Sequence, residues 1–181
     1  CRENADYIYE AERLATLAGK KLAAKRNHIN RFLENHPDWT YEPVVAANMS
    51  AVWRMNLEWN LASDDRQDEL VSGEYCAVEQ AMRHFDELGL SGGLIRAGGR
   101  AVAFAIGDPL ADDTFLVHFE KAFSDVQGAY QIINREFVRR NCAGYAFVDR
   151  EEDAGVEGLR KAKLSYDPLR LVDKYAAVLK E

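Results

Sequence analysis

The order of apolar and polar residues divides the chain into a helical first half and a second half in which strands and helices alternate. In the first half, a short apolar segment at 7–9 is followed by four segments whose apolar residues recur at helical spacing. Two of these predicted helices end at recognisable stop signals, His36-Pro37 and Gly89. Residues 39–44 read as a strand. The predicted helices are 11–18, 20–35, 48–61 and about 65–88.

The second half begins with three short apolar or alternating runs, at 93–97, 100–106 and 114–119. Gly98-Gly99 and Asp108-Pro109 divide these runs, which are predicted to be antiparallel neighbours in a sheet. The predicted order of this half is βββ-α-β-α-β, which indicates one α/β (α+β) domain over residues 1–181 with a central mixed sheet flanked by helices. The remaining predicted elements are helices 127–140 and 155–166, strand 145–148 and a final strand or mixed segment, 169–179.

Composition supports one ordinary globular core. The chain has 181 residues, of which 48% are apolar or aromatic and 29% charged, so it needs neither metal nor cross-links to fold. It contains no apolar run near the ~20 residues that span a bilayer and no leader pattern. Three cysteines without a CxxC spacing favour reduced thiols, a cytoplasmic location and no metal site. Because the chain opens on Cys1, we expect it to be part of a longer protein.

The net charge of −7 weighs against a general nucleic-acid coat, but the charges are unevenly spread. No acid occurs between Glu12 and Glu34, while this stretch carries six basic residues. On a helix, Lys25 and Arg26 border the apolar stripe. Either their stems cover the core with their charges in water, or they line a cleft for phosphate. The six basic residues are Arg13, Lys20, Lys21, Lys25, Arg26 and Arg31.

Two polar residues fall on apolar helix faces. Asn134 lies within the apolar stripe of helix 127–140, where its amide either clamps nearby backbone or holds a ligand. Lys163 lies at the centre of the apolar face of helix 155–166, which Tyr166 shares and Arg160 flanks. A buried lysine requires a partner, so Lys163 either forms a structural ion pair or points a cation into a cleft.

Polar residues also follow two predicted strands. His118, Glu120 and Lys121 end one strand and include a candidate general acid or base. The run 149–153, with Arg150 and four acids, follows another strand at the end where α/β sheets bind ligands, although such an acidic run is typical of a solvated loop. No P-loop, GxSxG, HExxH or EF-hand spacing occurs, which weighs against kinases, serine hydrolases and zinc enzymes.

Three long motifs resemble those of a bacterial protein family. They are GKKLAAKRNHINRF at 19–32, HFEKAFSDVQGAYQIINREF at 118–137 and DREEDAGVEGLRKAKLSYDP at 149–168. Together they resemble the family grouped with the C-terminal domain of phosphatidylglycerol lysyltransferases. The resemblance implies a GNAT-like acyl-CoA N-acyltransferase fold, with this chain as the C-terminal half of a tandem-GNAT protein. The third motif is similar to a segment of lysyltransferases and Fem-type aminoacyltransferases that lies near the aminoacyl-tRNA end, and Lys163 is the matching lysine.

The resemblance implies an acyltransferase that passes an acyl group to an amine or hydroxyl acceptor on a small molecule, lipid or peptide. Segment 124–129 stands where acetyl-CoA-dependent enzymes have a glycine-rich phosphate loop, but it has one glycine and an acid. We therefore expect aminoacyl-tRNA as co-substrate before acyl-CoA. The alternative is a non-catalytic GNAT-like binding or regulatory module.

Each candidate residue has an expected role. His118 or Glu120 is the expected base, and Lys163 with Arg160 is expected to hold the anionic end of the donor or the oxyanion. Lys25 and Arg26 are candidates for meeting tRNA phosphates. The expected substrate-binding residues are Lys25, Arg26, Lys121, Asn134, Arg150, Arg160 and Tyr166.

Overall fold

The computed structural model describes residues 2–62 and 69–177. A 3-10 turn at Arg2–Asn4 precedes the first strand. The helices are α1 (Ala11–Thr16), α2 (Ala23–Asn35), α3 (Met49–Ala62), α4 (Glu69–Arg83), α5 (Ala129–Asn141) and α6 (Glu157–Leu164). The strands are β1 (Asp6–Glu10), β2 (Thr40–Pro43), β3 (Ser91–Ala97), β4 (Arg100–Ala111), β5 (Thr114–Ala122), β6 (Phe147–Asp149) and β7 (Arg170–Val172).

The seven strands form one mixed sheet in the order β2-β3-β4-β5-β6-β1-β7. Strands β3 to β5 are antiparallel neighbours, as predicted, and β2 adds to β3 in the same antiparallel sense. The β5–β6 pair is parallel, and β1 lies antiparallel to both β6 and β7. Helices α2, α3 and α5 contact one another or the sheet, so the predicted mixed α/β architecture with a helical first half is confirmed.

Several predicted elements change, and the helix predicted to reach 88 ends at Arg83 as α4. Residues 7–9, assigned no element from the sequence, belong to a strand in the interior of the sheet, because both edges of β1 are paired. Strand β4 continues through Asp108-Pro109 to Ala111. Pro109 has no backbone N–H to donate, and its pairing opposite Phe115 does not require one. The final segment is strand only at Arg170–Val172, and 178–179 lie outside the described residues. Of the predicted helix 65–88, residues 65–68 also lie outside them.

Helix α5 packs across the sheet through a buried face that includes Ile132, Ile133 and Phe137. The Phe137 ring meets that of Phe115 on β5 edge-on, with 5.9 Å between centroids. Gly128, before the helix, has a φ of +85°, and a Cβ there would lie 2.3 Å from the carbonyl oxygen of His28. Glycine therefore lets α5 approach α2, and the two helices form one wall over the sheet.

The parallel pairing of β5 with β6 covers only three residue pairs, from Thr114–Phe147 to Leu116–Asp149. Beyond Leu116, β5 continues to Ala122 without a strand on that side. The chain after β6 instead turns away and returns as α6. This divergence opens a space between the second half of β5 and α6.

Candidate functional site

The second half of β5 presents consecutive polar residues to this space because the strand carries a bulge. Phe119 lies opposite Ile106 and Val117 lies opposite Gly107, which leaves His118 as the extra residue between the two pairs. A bulge interrupts the alternation of sides along a strand. Val117, His118, Glu120 and Lys121 consequently all line one cavity.

This cavity, called the β5–α6 cavity below, has a volume of about 490 Å³, within the range of small-molecule sites. Seven of the predicted site residues line it: Lys25, His118, Glu120, Lys121, Arg150, Lys163 and Tyr166. Its other lining residues are Trp59, Glu74, Val117, Tyr130, Gln131, Val156, Gly158, Leu159 and Ala162.

An ion pair spans the cavity wall from β5 to the loop after β6. Arg150 Nη2 donates to Glu120 Oε1 at 2.8 Å, and the two side chains are only 10% and 11% exposed. Asn134 Nδ2 donates to the other oxygen, Glu120 Oε2, at 2.8 Å. The buried amide of α5 thus neither clamps backbone nor lines the cavity, and it fixes the orientation of the Glu120 carboxylate.

Within residues 2–62 and 69–177, two donors of this wall find no hydrogen-bond partner. Arg150 Nη1 and the Tyr166 hydroxyl are both buried and unpaired, and Tyr166 as a whole is only 4% exposed. The Arg150 guanidinium lies 4.8 Å from the centre of the Tyr166 ring, and Lys25 Nζ lies 4.2 Å from the centre of that ring. Burial and the neighbouring Arg150 charge lower the pKa of Lys25. Buried polar groups are normally satisfied, so these donors point to a ligand.

Lys163 holds the loop that carries Arg150. Its Nζ donates to the carbonyl oxygens of Arg150, Glu151 and Glu152, which uses all three of its N–H groups. The Tyr9 hydroxyl donates to the Lys163 carbonyl at 2.8 Å. Burial, with the nearby Arg150 charge, lowers the pKa of Lys163 to about 8. Lys163 therefore lines the cavity, as one sequence alternative has it, but its N–H groups are used by the loop, so that it positions Arg150 through the backbone.

His118 lies between two carboxylates. Its Nε2 is 2.8 Å from Asp108 Oδ1, and its Nδ1 is 3.1 Å from Glu151 Oε1. The hydrogen bond to Glu151, opposed by burial, raises the pKa of His118. Both ring nitrogens of His118 are occupied, whereas each carboxylate oxygen of Glu120 keeps a lone pair beyond its one hydrogen bond, so Glu120 is better placed to accept a proton from a substrate.

The far wall of the cavity comes from helices that the sequence did not connect with the site. Lys121 Nζ lies 3.6 Å from the centre of the Trp59 ring on α3 and 2.8 Å from Glu74 Oε2 on α4. The Trp59 indole N–H in turn donates to the Ala122 carbonyl at 3.0 Å. Nothing local in the sequence marks Trp59 or Glu74, since only the packing of α3 and α4 against β5 brings them to the site.

A family model described as phosphatidylglycerol lysyltransferase, C-terminal, matches residues 1–178. The chain belongs to this family. The predicted family resemblance is thereby confirmed, and the family suggests a transferase.

Solved structures share the fold of this chain. A conserved protein of unknown function from Bacteroides thetaiotaomicron is 45% identical over 95% of this chain, with a TM-score of 0.92. The C-terminal (DUF2156) domain of a protein described as a lysylphosphatidylglycerol synthetase from Agrobacterium fabrum shares the fold at 14% identity over 95% of the chain, with a TM-score of 0.65. L-PGS from Bacillus licheniformis does so at 15% identity over 93% of the chain, with a TM-score of 0.61. The chain spans 58% of the length of each of these three structures.

Three predicted binding residues lie outside the cavity of this lysyltransferase-family domain: Asn134, described above, Arg26 and Arg160. Arg26 turns back to the carbonyl oxygens of Leu17 and Gly19 and holds the turn between α1 and α2. Arg160 forms two hydrogen bonds with Asp153, at 2.8 and 2.7 Å. Both arginines are therefore occupied by contacts that stabilise the fold.

The acidic run 149–153 is not the solvated loop that its composition suggests. Asp153 is fully buried, where it accepts hydrogen bonds from Arg160 and Tyr7, and Asp149 is 4% exposed. Burial raises the pKa of Asp149 to about 6, while the hydrogen bonds from Arg160 lower that of Asp153. The buried carboxylates of this run therefore hold the loop that carries Arg150 in place.

Across residues 2–62 and 69–177, no three His, Cys, Asp or Glu side chains are grouped to bind a metal ion. Nor does any helix in these ranges have the length and apolar character to span a membrane.

In segment 124–129, the N–H groups of Val126 and Ala129 already donate to the carbonyl oxygens of Phe123 and Val126, respectively. Asp125 faces the groove beside this segment.

Proposed function

We propose that this chain is the acyl-transfer domain of an aminoacyltransferase. It would move an aminoacyl group from tRNA to a hydroxyl or amine acceptor. The observation that carries the proposal is the buried pair of unpartnered donors, Arg150 Nη1 and the Tyr166 hydroxyl, next to the Glu120 carboxylate in a cavity of about 490 Å³. The family suggests the reaction class, and the cavity supplies groups that suit it.

In the proposed reaction, the acceptor oxygen or nitrogen attacks the carbonyl carbon of the aminoacyl ester. Glu120 takes the proton of the acceptor, the bond from the carbonyl carbon to the ribose oxygen breaks, and the proton passes to that oxygen. Negative charge develops on the carbonyl oxygen and is stabilised by the cations around it. Lys163 acts as a positioning residue, because its contacts hold the Arg150 loop and leave it no free N–H.

The segment before α5 favours aminoacyl-tRNA over acyl-CoA as the donor. Bound pyrophosphate needs free backbone N–H groups at a helix start and no nearby negative charge. Here two of those N–H groups are used within the segment, and Asp125 lies beside it.

The test is a transfer assay on Glu120→Gln. The chain is incubated with tRNA charged with radiolabelled amino acids, and with either phosphatidylglycerol vesicles or hydroxylamine as acceptor. We expect Glu120→Gln to lower the transfer rate by about 100-fold or more, the usual contribution of a general base. Glu87→Gln is the control, because that side chain is 77% exposed, lies outside the cavity lining and pairs with His84. Undiminished transfer by a folded Glu120→Gln protein would remove Glu120 from the mechanism.

A second candidate function is a non-catalytic binding module. It is favoured by the hydrogen bonds of His118 and Lys163, which occupy two of the three predicted catalytic residues and leave only Glu120 with spare acceptor capacity among these three. This alternative predicts a ligand that stabilises the folded chain without any transfer. At 100 times its Kd, such a ligand adds about 2.7 kcal/mol to the free energy of unfolding and so raises the melting temperature. The same transfer assay therefore separates the two functions.

A further inference from the structure

The β5–α6 cavity has an excess of positive charge. Four cationic side chains line it: Lys25, Lys121, Arg150 and Lys163. The carboxylates among the described lining residues are Glu74 and Glu120, and each is already paired, with Lys121 and Arg150 respectively. A cationic group that entered this cavity would meet like charges and no unpaired carboxylate of the described part of the chain.

Two of the cations lie against the ring of Tyr166. Lys25 Nζ and the Arg150 guanidinium both lie against the Tyr166 ring, at 4.2 and 4.8 Å from its centre. Among the described residues of the cavity lining, the hydroxyl of that ring and Arg150 Nη1 are buried donors without a partner. These are three donor groups, two of them charged, and the carboxylate beside them, Glu120, already accepts hydrogen bonds from Arg150 Nη2 and Asn134. A carboxylate, with two oxygens and one negative charge, is complementary to such a set.

We propose that this corner, formed by Lys25, Arg150 and Tyr166, binds a carboxylate on the acyl group, so that the site selects an acidic aminoacyl group and rejects a lysyl group. The inference rests on the proposed function, because it assumes that the acyl group enters this cavity. It departs from the lysyl group in the family description. The reason lies in the charges of this chain's own side chains.

The geometry also explains how the acyl group would be oriented. Arg150 donates through Nη2 to Glu120 and keeps Nη1 for the ligand, so one guanidinium links the binding corner to the proposed base. The Glu120 carboxylate has accepted two hydrogen bonds and retains lone pairs for the reacting end of the acyl group. A carboxylate anchored at Arg150 would thus place the remainder of the acyl group beside Glu120.

The experiment is a binding series with three amino-acid α-amides that differ in side-chain charge. Glutamic acid α-amide, glutamine α-amide and lysine α-amide have the same α-ammonium group and similar size. We expect the glutamic acid compound to bind the chain at least tenfold more tightly than the glutamine compound, with the lysine compound weakest. Equal affinities, or tightest binding of the lysine compound, would overturn the inference. So would displacement of the glutamic acid compound by equimolar inorganic phosphate, which would make the corner a phosphate site.

Variants locate the effect. Tyr166→Phe removes one donor without touching an ion pair, and Lys25→Gln removes one charge. Each should reduce the preference for the glutamic acid compound over the glutamine compound at least threefold. Lys20→Gln is the matched control, since Lys20 is exposed and outside the cavity. An unchanged preference in both cavity variants would contradict the proposed corner.

The outcomes separate this inference from the proposed function. Selective binding of the glutamic acid compound without transfer from any charged tRNA would retain the carboxylate site and refute the aminoacyltransferase. Transfer from lysyl-tRNA with no preference in the binding series would retain the aminoacyltransferase and refute the carboxylate site.

Discussion

Removing the Tyr166 hydroxyl should weaken ligand binding without lowering the stability of the fold. This hydroxyl is buried and has no hydrogen-bond partner, whereas the Tyr7 hydroxyl, also buried, donates to Asp153 at 2.6 Å and accepts from Arg2 at 2.8 Å. Tyr→Phe deletes one oxygen atom in each case. At Tyr166 this change removes no hydrogen bond, whereas at Tyr7 it removes two hydrogen bonds to charged groups. The two variants form a matched test of whether Tyr166 belongs to the fold or to a ligand.

The magnitudes follow from the two environments. A hydrogen bond to a charged group contributes about 1.5–3 kcal/mol, so Tyr7→Phe should lower the free energy of unfolding by that amount. For a chain of this size, the melting temperature should fall by about 3–12 °C. A buried polar group without a partner costs about 1–3 kcal/mol, and this cost is smaller where the group faces a cavity. Tyr166→Phe should therefore leave the free energy of unfolding unchanged or raise it by about 1 kcal/mol.

The assay is urea unfolding followed by circular dichroism, with both variants beside the parent chain. Binding of glutamic acid α-amide is then measured on the same samples. We expect Tyr166→Phe to weaken that binding while the protein stays at least as stable as its parent. A loss of more than about 1 kcal/mol of stability in Tyr166→Phe would show that its hydroxyl has a structural partner, and the reasoning from the unpaired donor would fail.

Two further predictions concern pH and the loop that carries Arg150. Because burial raises the pKa of Asp149 to about 6 from 3.8, the folded state binds more protons between these values and the stability contributed by this group falls as pH rises through them. Asp149→Asn should therefore be about 2–3 kcal/mol more stable than the parent at pH 7 and equal to it near pH 4, and equal stability at both pH values would contradict the assignment. The pKa of Lys163 is lowered from 10.5 to about 8 in the folded state, so between these pH values the unfolded state holds a proton that the folded state has released. The parent chain should therefore gain up to about 3 kcal/mol of stability relative to Lys163→Met as the pH rises from 8 to 10.5. At pH 7, loss of three hydrogen bonds of about 1 kcal/mol each and loss of the costly buried charge should nearly cancel in Lys163→Met. Urea unfolding at several pH values measures both variants, and a constant stability difference from pH 8 to 10.5 would refute the lysine prediction.

Local patterns were enough to predict the features of the fold that depend on neighbouring residues. The apolar stripe of α5 marked Asn134 as a buried polar residue, and the apolar face of α6 did the same for Lys163. In each case the pattern predicted burial correctly. It did not identify the partner, because Glu120 and the carbonyl oxygens of 150–152 come from other elements.

The features missed by the sequence depend on pairing between distant segments. Tyr7 and Tyr9 lie on a strand paired with β6 and β7, more than a hundred residues away, and no local signal indicates this. The bulge at His118 is equally invisible, because it arises from the register between β4 and β5. Lys25 and Arg26 have the same relation to the apolar stripe of α2, yet one lines the cavity and the other binds backbone. Helical periodicity places both on a border and cannot distinguish their partners.

The central claim is that the acyl group binds in the β5–α6 cavity. It is tested most directly by a crystal structure of the chain with a hydrolysis-resistant glutamyl-adenosine amide, a mimic of the end of a charged tRNA. We predict density for the acyl group between β5 and α6, with its carboxylate within hydrogen-bond distance of Arg150 Nη1 and the Tyr166 hydroxyl. An acyl group bound in the groove beside Asp125, with the cavity empty, would contradict the claim.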